Sequence, residues 1–193
     1  MHKRLVGTMA LALCAVAGGA RAEIVDVSIG DNSFRGAFYG PLSRFASDTN
    51  GQYDVGVIVR PKREDDLFVA HVGALVTGDA GARDFNLAAG LGLRGVYIGR
   101  DHDSGGALAL GGQAEARYPG YERIGLSVYG YFAPEVICFG EFDRYYEIGT
   151  AVDYQVLKNA SVYAGYRNVN VRLETGRDIT ADNGLHVGMR LSF

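Results

Sequence analysis

The chain has 193 residues, the length of a single domain with a sizeable buried core. It carries 28 Gly and 12 Tyr but only 4 Pro and no Trp, a composition that argues against disorder and favours many closely packed strands. The formal net charge of −3 gives no sign of a nucleic-acid partner.

Residues 1–22 have the three parts of a secretory signal peptide: a basic start, a short apolar run and a small-residue cleavage site. They read MHKR, then LVGTMALALCAVAGGA, then the ending ARA before Glu23. The apolar run is too short for a membrane-spanning helix. We therefore predict a cleaved signal peptide at 1–22 and one domain at 23–193, in which Cys138 is the single cysteine and has no disulfide partner in the chain.

The rest of the chain alternates apolar and polar residues with a period of two, the pattern of half-buried β-strands. The alternation runs through IVDVSIG, FRGAFYG, YDVGVIVR, LFVAHVGALV, FNLAAGLGLRGVYIG, GALALGGQAEARY, ERIGLSVYGYFA, DRYYEIGTAVDYQVL, SVYAGYRNVNVRLE and GLHVGMRLSF. The stretch PLSRFASD, 41–48, is a candidate for a short helical turn. The pattern predicts an all-β fold: a single antiparallel up-and-down transmembrane β-barrel of about 10 strands, with about 8 as the alternative because the first segment is short.

Three features favour a barrel in the outer membrane over a soluble sandwich or a lipocalin-like barrel. The polar faces combine glycine with charge, which suits a narrow lumen better than a solvent-exposed exterior. Several segments reach ~10 residues, the length that a tilted strand needs to cross a bilayer. Aromatic residues cluster near segment ends, as in the interfacial girdles of membrane barrels: Tyr97, Tyr118, Tyr121, Tyr131, Phe132, Tyr145, Tyr146 and Phe193.

The connections predict which end faces outside. With the C-terminus fixed in the periplasm, the charged or long connections TGRDITADN, PEVICFGEF, RDHDSG and PKREDD lie outside, and the short turns KNA and PGY lie inside. Two longer stretches, PLSRFASDTNGQ and TGDAGARD, depart from this pattern and would be long periplasmic connections. The alternation also changes phase near Arg167, which predicts a bulge or a bend there. The apolar residues on the two sides of this change are Val162, Ala164 and Tyr166, and then Val169, Val171 and Leu173.

The last eight residues resemble the terminal insertion signal of bacterial outer-membrane barrels. In that signal a polar residue, a glycine, an apolar residue and a final aromatic residue stand at fixed positions. Here those positions are His186, Gly188, Leu191 and Phe193. The resemblance implies the barrel assembly machinery as a partner during insertion.

A longer stretch also resembles one family. YEIGTAVDYQVLKNASVYAGYRNVNV followed by GLHVGMRLSF resembles the C-terminal half of the YfaZ-type outer-membrane proteins. VDVSIGDNSFRGAFYG and ALALGGQAEARY are similar to that family as well. The resemblance implies an outer-membrane barrel and supplies no catalytic motif.

The candidates for catalysis or metal binding all have a plainer interpretation. His102 stands between Asp101 and Asp103, but one histidine with adjacent carboxylates lacks the ligand spacing of a metal site and suits a solvated turn. His71 suits a lumen hydrogen-bond network. Ser127 and Ser161 are strand hydroxyls without a partnered His–Asp couple, and Cys138 suits a packed loop tip with a free thiol. We therefore expect no catalytic residue, no cofactor and no bound metal.

Six charged residues fall on the predicted inward faces, and charges inside a narrow barrel must pair or be hydrated. They are Arg94, Glu115, Arg117, Arg123, Glu147 and Asp153. We predict that they pair into a network which, with the inward glycines, largely fills the lumen. A wide aqueous pore is not expected in so small a barrel.

These observations predict a small protein of the Gram-negative outer membrane with a structural, surface-interaction or narrow-channel role. Two alternatives stay open: an outer-membrane enzyme of omptin-like or lipid-modifying type, and a soluble periplasmic barrel that binds an apolar ligand. The expected partners are outer-membrane lipid, lipopolysaccharide and the assembly machinery, with no nucleic acid. The protein is expected to be a monomer.

Overall fold

The structure is a computed structural model that describes residues 23–45, 49–61, 67–80, 86–100 and 104–193. The predicted signal peptide and the His102 site lie outside the described residues. Within the described part of the chain, no helix is both long enough and apolar enough to cross a membrane.

The described chain is almost entirely antiparallel β-structure. Its strands, in chain order, are β1 Ile24–Gly30, β2 Phe34–Pro41, β3 Gly51–Arg60, β4 Leu67–Asp79, β5 Asn86–Gly99, β6 Ser104–Arg117, β7 Ile124–Ala133, β8 Cys138–Gly140, β9 Phe142–Leu157, β10 Ala160–Leu173 and β11 Asp178–Ser192. Short 3-10 turns occupy Leu42–Arg44 and Glu135–Ile137. The first of these follows Pro41, within the stretch where a short helical turn was predicted.

Ten of these strands close into a barrel. Each pairs with its neighbour along the chain, β7 pairs with β9, and β5 pairs with β6. The ring closes where β1 pairs with β11, from Ile24 opposite Ser192 to Gly30 opposite His186. The three-residue β8 adds to the free end of β6 beyond β7. The all-β antiparallel barrel of ten strands is thereby confirmed.

Side chains alternate between a lumen face and an outer face. In β9, the side chains from Tyr145 to Asp153 that point inward are buried, and those that point outward are exposed. Most of the outward members are apolar or aromatic and are 39–53% exposed: Tyr146, Ile148, Val152 and Tyr154. An apolar exterior around a polar interior is the arrangement that a lipid-facing barrel requires.

Both termini of the barrel lie at the same end. Glu23 and Phe193 exchange backbone hydrogen bonds of 3.2 and 3.1 Å there. We assign this end to the periplasm because an exported chain reaches the outer membrane from that side. One of the predicted outer connections is shorter than expected, because Asp178 to Asn183 belong to β11. The periplasmic end carries the long connection 42–50, where the sequence also placed a long one.

An aromatic girdle surrounds the barrel towards its outer end. Its outward side chains, 41–50% exposed, are Phe34, Phe68, Tyr97, Phe132, Tyr146 and Tyr166. Tyr131 and Tyr145, predicted for the same girdle, are buried in the lumen at 2% and 1% exposure. The reason is the strand period of two: their neighbours Phe132 and Tyr146 take the outward positions.

Beyond the girdle, the outward face of β9 to β11 turns polar. We call this face the polar belt; its members are Arg144, Asn168, Asn170, Arg172, Asp178, Thr180 and Asn183. Arg172 donates two hydrogen bonds to Asp178, of 2.8 and 3.1 Å, and lowers the pKa of that carboxyl. Tyr166 donates to Asn183 at 2.6 Å, so its hydroxyl points from the girdle towards the belt. The belt marks where these strands leave the lipid.

β10 keeps its alternation unbroken through Arg167, so the irregularity predicted for this strand lies in its pairing with β11 instead. Arg167, Val169 and Val171 are all buried on the lumen face. The register shift between β10 and β11 falls at Val169/Asn170, and the additional residue, Ala181, belongs to β11. The apparent phase change arises because the lumen itself becomes apolar at this height.

The outer end of the lumen is filled by apolar side chains that are at most 5% exposed. We call this group the apolar plug; it comprises Ile58, Leu67, Val69, Val96, Ile98, Ala107, Ala109, Tyr131, Ala133, Phe142, Tyr145, Val169, Val171, Leu173 and Ala181. The plug is the hydrophobic core of the molecule, and it lies where a pore would open to the outside.

Candidate functional site in the barrel lumen

A charged layer lies directly beneath the apolar plug. Arg94 lies at its centre, with Nη2 2.9 Å from Asp54 Oδ2 and Nη1 2.9 Å from Glu147 Oε2. His71 Nε2 is 3.1 Å from the same Asp54 oxygen, and the Tyr145 hydroxyl donates to Glu147 at 2.6 Å. The four charged or imidazole side chains are at most 3% exposed. Such a layer persists because each buried charge has an opposite charge in contact.

The aromatic residues of the plug also stabilise the charged layer. The guanidinium carbon of Arg94 lies 3.6 Å from the centroid of the Tyr131 ring, a cation–π contact in a desolvated setting. Tyr145 belongs to the plug through its ring and to the charged layer through its hydroxyl. The plug and the layer therefore form one packed unit.

Two further ion pairs occupy the β10–β11–β1 side of the lumen. Arg167 Nε lies 2.6 Å from Asp182 Oδ2, with both side chains buried. Asp26 receives hydrogen bonds from Arg190 Nε at 2.9 Å and from the Tyr163 hydroxyl at 2.5 Å. Arg190 also stacks over the Tyr163 ring at 4.6 Å. These contacts tie the first strand of the barrel to the last two.

The structure brings together five of the six charges predicted for the lumen. Arg94 pairs with Glu147, and Arg117 contacts Glu115 at 2.8 Å and Asp153 at 3.0 Å. Arg123 is instead exposed in the periplasmic turn that precedes β7, because β7 begins only at Ile124. A functional role for this network stays a prediction.

Several lumen residues were missed in the sequence: Asp26, Arg35, Asp54 and Asp182. The first three carried a usable signal. Each is a single charged residue between two apolar or small neighbours in a period-two segment, which places it on the lumen face if the outer face meets lipid. Asp182 lay in a stretch predicted as a connection.

A polar cavity of about 250 Å³ lies on the periplasmic side of the charged layer. This volume far exceeds the ~10–15 Å³ that one water molecule requires. We call it the periplasmic cavity; its lining residues are Arg35, Tyr39, Gln52, Thr77, Ala88, Ala89, Arg94, Gln113, Ala114, Glu115, Ser127, Val128, Tyr129 and Arg190. Apart from Arg35, Arg94 and Tyr129, these residues come from the periplasmic halves of their strands.

Arg35 is the one arginine lining this cavity that forms no ion pair with a described carboxylate. It is 5% exposed, and its Nη2 donates to the Tyr39 hydroxyl at 2.9 Å. Its Nε is buried and has no hydrogen-bond partner. Among the described residues, no carboxylate forms an ion pair with it, whereas Arg94 contacts two carboxylates and Arg190 contacts one.

The remaining sequence candidates occupy ordinary settings. His71 lies in the charged layer, within the lumen network where it was predicted. Ser127 donates to the backbone oxygen of Ala151 at 3.4 Å. At the outer end, burial raises the pKa of the Cys138 thiol, which weakens it as a nucleophile. Across the described residues, no group of three or more His, Cys, Asp or Glu is placed to hold a metal ion.

The four residues of the proposed insertion signal all lie on the last strand or at its end. His186 is buried in the lumen, and Gly188 faces the Tyr163 ring. Leu191 and Phe193 point outward at 42% and 54% exposure. Their role as a signal stays a prediction.

Three solved outer-membrane structures match the backbone of this chain. DcaP, an outer membrane channel of Acinetobacter baumannii, is 11% identical at a TM-score of 0.37; the match covers 91% of this chain and 60% of DcaP. OmpT, an outer membrane protein of Vibrio cholerae, is 10% identical at a TM-score of 0.32, over 88% of this chain and 64% of OmpT. The KdgM porin is 12% identical at a TM-score of 0.35, and the match covers 89% of this chain and 99% of KdgM. The chain thus spans less than two thirds of the first two.

Sequence relatives are more informative. The outer membrane protein YfaZ of Escherichia coli strain K12 is 31% identical over 132 residues, which is 67% of this chain and 69% of that protein. The family model described as YfaZ precursor matches residues 5–193. With its lipid-facing barrel and these two matches, the chain belongs to the YfaZ family of outer membrane proteins.

Proposed function

We propose that this outer membrane protein is a sealed barrel with a structural or surface-interaction role, and that it is neither an open pore nor an enzyme. The observation that supports the proposal is the apolar plug. Its members are at most 5% exposed and fill the lumen at the outer end. A water-filled path would have to expose these side chains, at about 1.5–3 kcal/mol for each large one.

The charged layer adds a second barrier under the plug. An ion crossing the barrel would have to separate Arg94 from Asp54 and Glu147, which contact it at 2.9 Å. Breaking a buried ion pair costs about 3–5 kcal/mol. A narrow channel would therefore need a rearrangement of the whole packed unit.

A non-enzymatic role is proposed from the chemistry of the same layer. The His71–Asp54 couple resembles half of a catalytic triad, but Arg94 contacts the same oxygen of Asp54 that His71 contacts. Arg94 therefore ties that carboxylate into the ion-pair network, and the plug covers the layer from outside. This arrangement suits a structural network better than proton transfer to a nucleophile.

The outer surface supports the proposed lipid partners. The aromatic girdle matches the interface at the top of the acyl region of an outer leaflet of lipopolysaccharide, and the polar belt above it matches the headgroup region. The closed β1–β11 pairing leaves the barrel without an unpaired edge, which favours a monomer.

Planar-bilayer recording of the refolded protein tests the proposal. We expect no steady conductance from the wild type. The double variant Tyr131→Ala with Tyr145→Ala, which removes two rings from the plug, is expected to admit ions at least transiently. Tyr97→Ala with Tyr146→Ala, which removes two outward rings, is the matched control and is expected to stay silent. A steady conductance of the order of nanosiemens from the wild type would overturn the sealed barrel.

A further inference from the structure

We propose that the periplasmic cavity binds a small oxyanion, a carboxylate or phosphate group carried by a periplasmic solute. The proposal rests on charge, on one arginine that has no carboxylate partner among the described residues and on access from a single side. It goes beyond the proposed sealed barrel, and its single-sided access rests on that proposal, whereas binding itself does not.

The cavity presents cations to whatever enters it. Arg35, Arg94 and Arg190 line it, and Glu115 is its single acidic lining residue. The carboxylates that pair with Arg94 and Arg190 do not line the cavity and are at most 1% exposed: Asp54, Glu147 and Asp26. Glu115 contacts Arg117, which reduces its effect on an anion inside.

Arg35 provides the specific site within this cavity. Its guanidinium is buried, its Nε lacks an acceptor, and no carboxylate among the described residues forms an ion pair with it. A planar guanidinium with unused donors is suited to a bidentate contact with a carboxylate or phosphate. A bound oxyanion would satisfy the donor that the protein leaves open.

Neutral polar groups complete the coordination. Gln113 Nε2 donates to Gln52 Oε1 at 3.5 Å, a long contact that leaves amide hydrogens for a ligand. The hydroxyls of Thr77 and Ser127 line the same space. A small solute can therefore be held by one charge-assisted contact and several neutral ones, as in other polar ligand sites.

Access to the cavity is from the periplasm. The charged layer and the apolar plug close it on the outer side, with side chains at most 5% exposed. Towards the periplasm the side chains become more exposed, with Arg117 at 29% and Glu115 at 43%. The solute therefore enters and leaves on the same side, which describes a binding site and not a transport path.

Isothermal titration of the folded full-length barrel in detergent tests the proposal, with inorganic phosphate and succinate as separate probes at constant ionic strength. We expect saturable binding of at least one probe with a Kd of about 1 mM or tighter. Saturation by phosphate alone, by succinate alone or by both supports the site and identifies the preferred oxyanion. Absence of saturable binding for both probes would overturn it.

Variants assign the binding to the cavity. Arg35→Met is expected to weaken the affinity by about tenfold or more. Arg123→Met removes an exposed arginine of the periplasmic turn and is expected to leave the affinity unchanged. If Arg35→Met fails to show heat-modifiable gel migration, and hence to fold, Gln113→Leu replaces it and is expected to weaken binding severalfold. Wild-type affinity in the folded cavity variant would refute the assignment.

Discussion

At the scale of single residues, glycines on the lumen face make room for tyrosine rings from neighbouring strands. A Cβ on Gly149 would lie 2.5 Å from ring carbons of Tyr129, and one on Gly188 would lie 2.5 Å from Cζ of Tyr163. These approaches are closer than any side-chain carbon tolerates. They explain why the composition is rich in glycine and tyrosine together.

We expect Gly149→Ala to destabilise the barrel by about 1–3 kcal/mol, because the Tyr129 ring must move within a packed lumen. Gly36→Ala is the matched control, since a Cβ there has nothing within 4 Å. It is expected to change the free energy of unfolding by less than about 0.5 kcal/mol. Urea unfolding of both variants refolded in lipid vesicles measures the difference. Equal stabilities would show that the glycine is not required by the ring.

The sequence could place lumen charges on the right face but could not pair them. Arg94 and Glu147 are 53 positions apart and meet across the lumen. Alternation predicts which face a side chain takes, whereas its height depends on the hydrogen-bond register between strands, which no local pattern shows. Arg123 was assigned to the lumen because the alternating pattern includes it, whereas the preceding turn delays the start of β7 to Ile124.

At the scale of elements, β10 shows one strand crossing two environments. Near its periplasmic end, Val162 points outward to lipid and Tyr163 points inward to Asp26. Near its outer end the polarity reverses, with Asn170 outward and Val171 in the plug. Period-two reasoning assumed one apolar face along the whole strand, and so the reversal was interpreted as a bulge or a bend.

Surface labelling of intact cells tests this reversal and the assignment of the outer end. In a Cys138→Ser background, we expect Asn170→Cys to react with a bulky, membrane-impermeant maleimide, because the polar belt stands outside the lipid. Val162→Cys, which is outward on the same strand but faces acyl chains, is expected to stay unlabelled. Labelling of Val162→Cys, or protection of Asn170→Cys, would contradict the placement of the membrane along β10.

At the scale of the whole molecule, the fold was largely predictable because lipid imposes a strong constraint. Closed barrels and helices are the structures that satisfy every backbone group in a bilayer, so alternating strands in an exported chain predict a barrel. The sequence predicted a filled lumen for a different reason from the one on which the proposed seal rests. The prediction relied on paired charges and glycines, and it missed the apolar plug because outer and lumen faces of a strand end look alike in sequence.

Substitution of Phe193 tests whether the C-terminal residue acts in assembly and not in stability. Its backbone pairs with Glu23, but its side chain is 54% exposed and adds little to the packing. We expect Phe193→Ala to unfold at the same urea concentration as the wild type and yet to reach the outer membrane in lower yield, if the tail is an insertion signal. Val156→Ala, outward near the periplasmic end of β9, is the control and is expected to assemble normally. A normal yield of Phe193→Ala would refute the signal.

The central claim is that the lumen is sealed on its outer side and open towards the periplasm. Ala109 and Gln113 test it most directly, because both lie on the lumen face of β6, in the plug and in the cavity respectively. The measurement is the rate at which a small charged methanethiosulfonate reagent modifies each cysteine variant in detergent, where both ends of the barrel are accessible. In a Cys138→Ser background, we expect Gln113→Cys to react at least about a hundredfold faster than Ala109→Cys, whose modification requires local opening. Equal and rapid rates at the two positions would contradict the account, since they would show a continuous aqueous path through the barrel.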